Sequence, residues 1–351
     1  MRVVVTGATG NAGTSVVRAL GLEPSVSEIV GIARRGPKAR MPKTSWVQAD
    51  VSRSDLIEPF RGADAVIHLA WLIQPSRDED LLEAVNVEGS SRVFAAAAAA
   101  EVPALVHASS VGAYSPGPKD RRVDESWPTA GIESSYYSRQ KVAVERRLDQ
   151  VERESPRMRV VRLRPGLIFK RDAASGIRRL FAGPLLPSPL LRRDLIPVVP
   201  ATERLVFQGV HSHCVGEAYR LAAINNDARG PYNIAAEPVL DSTELGRIFD
   251  ARPVGVPPRA IRGAARISWL LRMQPTHPSW LDLALGVPVM DTTRAREELG
   301  WIPRHGADEA LAELVEGMRD GAGFDTPPLS RHAGGPMRLR ELLTGVGGRA
   351  S

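Results

Sequence analysis

Tyr137 and Lys141 stand four residues apart in Ser134-Ser135-Tyr136-Tyr137-Ser138-Arg139-Gln140-Lys141. On a helix that spacing sets both side chains on one face, one turn apart. The chain has only five tyrosines and five lysines, so the pairing would be a rare coincidence if it carried no meaning. A free phenol titrates near ~10, too high for efficient proton exchange at neutral pH. A neighbouring ammonium stabilises the phenolate and lowers that value, which makes the pair a candidate acid/base. Tyr136 competes for the role, but four residues on from it stands the uncharged Gln140. Upstream, Ala104–Ala108 reads as a strand that runs out into Ser109 and Ser110. A hydroxyl at the end of a parallel strand faces the crevice where such sheets bind ligands. Ser110 is therefore the candidate to hold a substrate oxygen while Tyr137 moves the proton.

A second constellation lies at the N-terminus. Val3-Val4-Val5-Thr6-Gly7-Ala8-Thr9-Gly10-Asn11-Ala12-Gly13 reads as a strand, a glycine-rich turn and a helix start. Gly7 permits the tight turn, Gly10 lets backbone amides approach a pyrophosphate, and Gly13 lets the helix pack close to the strand. The amides and dipole of a helix beginning near Asn11 and Ala12 favour a dianion. The position after the first strand makes this a dinucleotide site. At the end of the second strand, Ala33 is followed by Arg34 and Arg35, where a carboxylate would favour NAD. Arginine there can pair with a 2′-phosphate, so the expected cofactor is NADP, with NAD possible.

The elements that must position these residues alternate. Strands are expected at Arg2–Val5, Ile29–Ala33, Trp46–Ala49, Ala65–Leu69, Ala104–Ala108 and Arg159–Leu163. Helices are expected at Ala12–Leu20, Ser54–Phe60, Asp80–Ala100 and Tyr137–Glu152. Alternation of this kind implies α/β architecture: a Rossmann-type, doubly wound parallel sheet with helices on both faces. Past Pro165 the chain turns richer in Pro, Leu and Arg, notably over Gly183–Pro200 and Arg252–Pro258. A strand-like Pro231–Ala235 and helices at Ser242–Phe249, Thr292–Leu299 and Asp308–Asp320 follow. The expected organisation is a dinucleotide-binding domain over 1–164 with a return near 205–235. A smaller, discontinuous C-terminal substrate domain takes 165–204 and 236–320, and a loosely packed tail takes 321–351.

With these residues in order, the chain resembles the extended short-chain dehydrogenase/reductase family, the NAD(P)-dependent epimerase/dehydratase group, over about residues 1–320. The resemblance rests on Thr6–Gly13, Asp50-Val51, His68-Leu69-Ala70, Asn86, Ser109-Ser110 with Tyr114, Tyr137/Lys141 and Arg164-Pro165-Gly166. It implies that Asp50 and Val51 hold the adenine, and that Leu69 and Ala70 line the ribose and pyrophosphate. It places Asn86 in the cofactor site, Lys141 on the nicotinamide ribose and Pro165 beside the nicotinamide. It further implies a homodimer that pairs the helices Asp80–Ala100 and Tyr137–Glu152. Two departures narrow the chemistry. Dehydratases of the family carry Asp-Glu directly after the catalytic hydroxyl, where Val111 and Gly112 stand here, so dehydration is disfavoured. Epimerases resembling the UDP-galactose enzyme carry Asn before the proline, where Arg164 stands here. The expected activity is hydride transfer at a carbinol or carbonyl carbon, by an oxidoreductase or epimerase. The alternatives are a nucleotide-sugar 4-epimerase holding NAD tightly, and a non-catalytic NADP-sensing module.

Other features point away from further functions. The net charge of +6 is carried by scattered arginines with acids interleaved, and no recognition helix accompanies them, so nucleic acid is not an expected partner. No apolar run approaches the ~20 residues of a membrane helix, and no export signal is read, so the expected setting is the cytoplasm without a membrane. The single cysteine, Cys214, excludes an internal disulfide. His211 and His213 beside it lack a matching ligand cluster, and no metal is expected. Arg259, Arg262, Arg266 and Arg272 among Ile261, Ile267, Trp269, Leu270 and Leu271 read as a substrate-domain helix with a solvated face. Trp71, Leu72 and Ile73 suit either a pocket wall or the core.

Overall fold

The computed structural model describes residues 1–37, 39–73, 78–181, 197–271 and 276–331. Seven strands form one parallel sheet: β1 (Arg2–Thr6), β2 (Glu28–Ala33), β3 (Thr44–Gln48), β4 (Ala65–His68), β5 (Ala104–Ala108), β6 (Arg159–Pro165) and β7 (Gly230–Ile234). Their order is β7-β6-β5-β4-β1-β2-β3, the doubly wound arrangement expected from the alternation of elements. Strands covered on both faces read as unbroken apolar runs, as in Val3-Val4-Val5 and Ala65-Val66-Ile67. The pleat sorts those runs between two cores. Val3, Val5 and Val106 pack with Val16, Leu20 and Tyr219 from helices α1 (Asn11–Leu22) and Ser212–Ile224. Val4, Val66 and Leu105 pack on the opposite face with Phe94, Val144 and Leu148, the last two from helix α2 (Tyr136–Glu154).

β1 lies between β2 and β4, so the chain order reverses there and the crevice opens beyond Thr6 and His68. Both ends carry the residues singled out above: Gly7 to Gly13 follow β1, and Leu69 and Ala70 follow β4.

Three expectations change. The helix read across Asp80–Ala100 is interrupted, running as Glu79–Glu83, a π-helical turn at Ala84–Glu88, and Gly89–Ala99. The wide turn brings Asn86 inward, where its amide is buried and fully engaged. The helix read over Ser54–Phe60 forms only at Ile57–Phe60. Ser54 Oγ instead accepts from the Asp50 amide and Asp55 Oδ1 from the Ile57 amide, side-chain bonds that compete with a helical start. Residues 322–331, read as part of a loose tail, pack against the sheet domain. Thr326 is buried and its Oγ1 donates to Thr9 O at 2.8 Å, while Ala39 N donates to Asp325 O at 3.3 Å. The rest of that tail, most of Gly183–Pro200, Lys38 and Arg272 lie outside the described residues.

A smaller core gathers Phe169, Leu240, Ile248, Leu311 and Leu314 beside the sheet. The helix Pro258–Leu270 buries no residue, and Ile267 and Leu270 are exposed on it. No helix among the described residues is long and apolar enough to cross a membrane. His211 Nε2 lies 3.1 Å from Glu313 Oε2 and its ring centroid 4.4 Å from that of His305, the rings tilted by 44°; no His/Cys/Asp/Glu group able to hold a metal occurs among the described residues.

His68 and His107 face one another across β4 and β5, both buried in the sheet layer. Burial holds His68 down to about 3 and His107 well below its ordinary value. His68 has Thr6 Oγ1 and Ser90 Oγ as partners, whereas neither ring nitrogen of His107 has one. Unfolded imidazoles take up protons below ~6.5 while the folded chain does not, so stability is full above that pH and declines as pH falls. By pH ~5 His68 alone costs about 2 kcal/mol, and His107 adds in the same sense. Urea unfolding at pH ~7.5 and ~5 measures this decline, and His107→Leu is expected to make it shallower.

Candidate active site

Gly7 takes φ +71, and a Cβ there would lie 2.7 Å from Ala70 N, so the turn after β1 presses on the chain leaving β4. A Cβ on Gly13 would lie 2.2 Å from Gly7 O, which leaves glycine alone at the start of α1. Gly10 caps α1 without a side-chain bond, and the first turn holds no acidic residue. The amides at Asn11, Ala12 and Gly13 thus form an uncapped, uncompensated helix start of the kind that receives phosphate. Asn11 Nδ2 donates to Ile168 O at 3.1 Å, and its Oδ1 is buried without a donor. The residues present therefore fit a pyrophosphate-bearing cofactor. Gly13→Ala is expected to weaken dinucleotide binding about tenfold or more in a calorimetric titration, because the clash is with backbone that cannot rotate away.

The residues expected at the adenosine end are Arg34, Asp50 and Val51. Arg34 and Arg35 are exposed just past β2. Asp50 is buried, and its Oδ1 accepts from Ser52 N at 3.1 Å and Ser52 Oγ at 2.7 Å. Burial pushes its carboxyl up, but the Ser52 bonds and the charges of Arg34 and Arg53 hold it below its ordinary value. Val51 is packed under Gly89, where a Cβ would meet Val51 Cγ2 at 3.0 Å.

Ser135 caps α2, its Oγ accepting from Ser138 N, and this sets Tyr137 in the first turn beside the end of β5. Tyr137 stands beside Ser110, whose Oγ accepts from Gly112 N at 3.0 Å. Lys141 Nζ donates to Ala108 O at 2.7 Å, sits 3.4 Å from the Trp71 ring centroid and 5.7 Å from that of Tyr137. The sequence thus places all three catalytic candidates in one cluster. Their electrostatics differ from the expectation. Burial raises the Tyr137 phenol to about 12, and the nearby Ser110 hydroxyl offsets only part of that. Burial also lowers Lys141 to about 7, against the opposing pull of Glu145. In the polypeptide alone, desolvation outweighs the charge that was expected to lower the phenol.

Gly112 explains one departure from the dehydratase pattern. A Cβ there would meet Tyr137 Cε1 at 3.0 Å and Leu283 Cδ1 at 3.4 Å, so the ring occupies the volume a side chain would need. Asn86 bonds protein rather than open space: Oδ1 accepts from Leu72 N at 2.7 Å, and Nδ2 donates to Leu72 O and Gln140 Oε1, both at 3.0 Å. These bonds position the segment after β4, which runs on from Leu69 and Ala70. Leu69 and Ala70 are half-buried along the crevice, and Pro165 ends β6 opposite Ile234.

Sequence reasoning missed two groups. Glu145, one further turn along the Lys141 face, makes a buried two-pronged pair with Arg164 and accepts from Ser109 Oγ. Arg164 Nη1 also donates to Tyr114 OH at 3.0 Å, and Tyr114 OH to Asn233 Oδ1 at 2.7 Å. The i,i+4 spacing from Lys141 was a usable signal for Glu145. Trp280 and Leu283 lie against Tyr137 from a helix at Ser279–Gly286, and no local spacing connects them to it.

The model of the NAD dependent epimerase/dehydratase family matches residues 3–173. An uncharacterised protein of Mycobacterium tuberculosis, Rv2047c, is 27% identical over 348 residues, covering 97% of this chain. The chain spans about a third (32%) of that relative's length. L-arabinose 1-dehydrogenase (NAD(P)(+)) of Haloferax volcanii is 38% identical over 109 residues, covering 31% of this chain and 40% of its own. Among solved structures, the UDP-glucose 4-epimerase of Thermus thermophilus in complex with NAD superposes with a TM-score of 0.65 at 22% identity. That match covers 91% of this chain and 99% of the other, a likeness of fold.

Proposed function

The chain belongs to the NAD-dependent epimerase/dehydratase family through residues 3–173, and from that premise we propose that it is an NADP-preferring oxidoreductase reducing a carbonyl group. The observation that carries this reading is the cluster in which Tyr137, one turn before Lys141 on α2, stands beside Ser110 at the end of β5, in a sheet whose first strand ends in an uncapped glycine turn. A phenol so placed is fully protonated at neutral pH and stands as an acid, the role that reduction requires. The uncapped start of α1 and the Arg34 edge would hold NADPH, whose chemistry there would be to supply a hydride. Tyr137 gives its hydroxyl proton to the oxygen as negative charge develops there, and Ser110 orients that oxygen. Lys141 bears on the ribose side and on Tyr137. Hydride and proton together would convert the carbonyl to an alcohol, with NADPH oxidised to NADP+.

The structural likeness to a UDP-glucose 4-epimerase supports a second reading, in which a tightly held NAD is reduced and reoxidised within one turnover. Steady consumption of NADPH with carbonyl compounds supports reduction. Interconversion of UDP-glucose and its 4-epimer without added cofactor would replace it by the second reading. Binding of NADP without turnover of either kind would leave the sensing module.

A further inference from the structure

The segment that follows the helix Ala307–Asp320 ties the glycine turn to its surroundings. Ala322 O accepts from Ser175 N at 3.2 Å and Ser175 Oγ at 2.7 Å, which anchors the segment to the helix Ala174–Phe181. Further on, Thr326 Oγ1 donates to Thr9 O at 2.8 Å, within the turn between Gly7 and Gly10. Ala39 N donates to Asp325 O at 3.3 Å, on the loop that leaves β2 through Arg34 and Arg35. That turn and that loop leave the sheet side by side, since β1 pairs with β2 and Gly7 N donates to Ile32 O at 2.9 Å. Two adjacent residues, Asp325 and Thr326, thus join the phosphate-binding turn to the basic loop.

The segment holds its own shape. Phe324 N donates to Leu329 O at 2.9 Å and Leu329 N to Thr326 O at 3.0 Å, closing a turn around Pro327 and Pro328. A Cβ on Gly323 would lie 2.5 Å from Leu329 O and 2.8 Å from Arg331 N, so a side chain there would force the closure open. Thr326 and Leu329 are buried. The Phe324 ring centroid lies 5.8 Å from Lys170 Nζ, which donates to Thr14 Oγ1 at 2.9 Å; Thr14 Oγ1 in turn donates to Gly10 O at 3.0 Å. The segment therefore reaches the start of α1 from a second direction.

We propose that residues 322–331 form a latch on the dinucleotide site, with Thr326 as a positioning residue that holds the glycine turn and the basic loop together and so sets how fast the dinucleotide leaves. The inference rests on dinucleotide binding at the glycine turn. Release requires those two walls to part, and parting them breaks the Thr326 bond and leaves a buried carbonyl without its donor. Segments of this kind gate release in many enzymes.

The test follows displacement of NADPH by excess NADP+ in stopped flow, on wild type, Thr326→Val, Thr326→Ser and Gly323→Ala. Thr326→Val removes the hydroxyl at nearly constant shape, and Gly323→Ala unseats the segment without touching either contact. Both are expected to raise the release rate constant about tenfold with association changed less than about twofold, and Thr326→Ser to restore the wild-type rate. A variant that merely folded less completely would lose amplitude and keep its rate constant, and that outcome would overturn the latch. Release at the wild-type rate in both variants, or acceleration in Thr326→Ser equal to that in Thr326→Val, would overturn it as well. Failure of wild type to bind NADPH would overturn the dinucleotide reading itself, and the latch with it.

Discussion

Replacing Tyr137 by Phe is expected to lower turnover about a thousandfold while leaving NADP affinity within about twofold. The substitution removes one oxygen and leaves the ring against Trp280 and beside Gly112, so the packing of α2 survives. It also leaves Ser110, a weak donor, alone to meet the developing charge. The pH dependence separates the two directions. The phenol at about 12 remains an acid throughout the neutral range, so carbonyl reduction is expected to show no titration of Tyr137 there. Alcohol oxidation needs the phenolate and is expected to rise with pH across the same range. Steady-state rates in both directions, with a cofactor titration of each protein, check the set.

The second large effect is structural. Glu145→Leu is expected to destabilise the fold by about 3–5 kcal/mol, because it leaves the Arg164 guanidinium buried without its counter-charge. Both side chains are 5% exposed, and burial pushes the Glu145 carboxyl up while Arg164 and Ser109 hold it down. Arg164 would retain only neutral partners, Tyr114 OH and Glu125 O. The double variant Glu145→Leu with Arg164→Met is expected to recover much of the loss, since an apolar pair of similar volume carries no desolvation cost. Because Glu145 ties α2 to β6 and to Ser109, the single variant is also expected to lower kcat through displaced catalytic geometry. Denaturant unfolding of the three proteins measures the energies.

Where chemistry is local in sequence, it was legible. The glycine spacing announces the turn after β1, and the Tyr137–Lys141 spacing announces a helix face; both are dictated by backbone geometry over a few residues. The sheet order follows from alternating elements and right-handed crossovers. What escaped is non-local. Trp280 meets Tyr137 from 143 positions away, and only packing of the second, smaller unit brings them together. The π-helical turn at Ala84–Glu88 was invisible because its residues suit an α-helix; tertiary bonds of Asn86 to Leu72 reward the wider turn. The direction of the Tyr137 shift was also beyond a pattern of residue types. Spacing shows that a cation is near, whereas burial decides whether that cation keeps its charge.

Mixing the NADPH-loaded protein with excess carbonyl compound in a single turnover tests the central claim most directly. Wild type is expected to lose one equivalent of reduced-nicotinamide absorbance per site and to form the alcohol, while Tyr137→Phe, equally loaded, holds its NADPH. Equal loss in both proteins would contradict the role assigned to Tyr137.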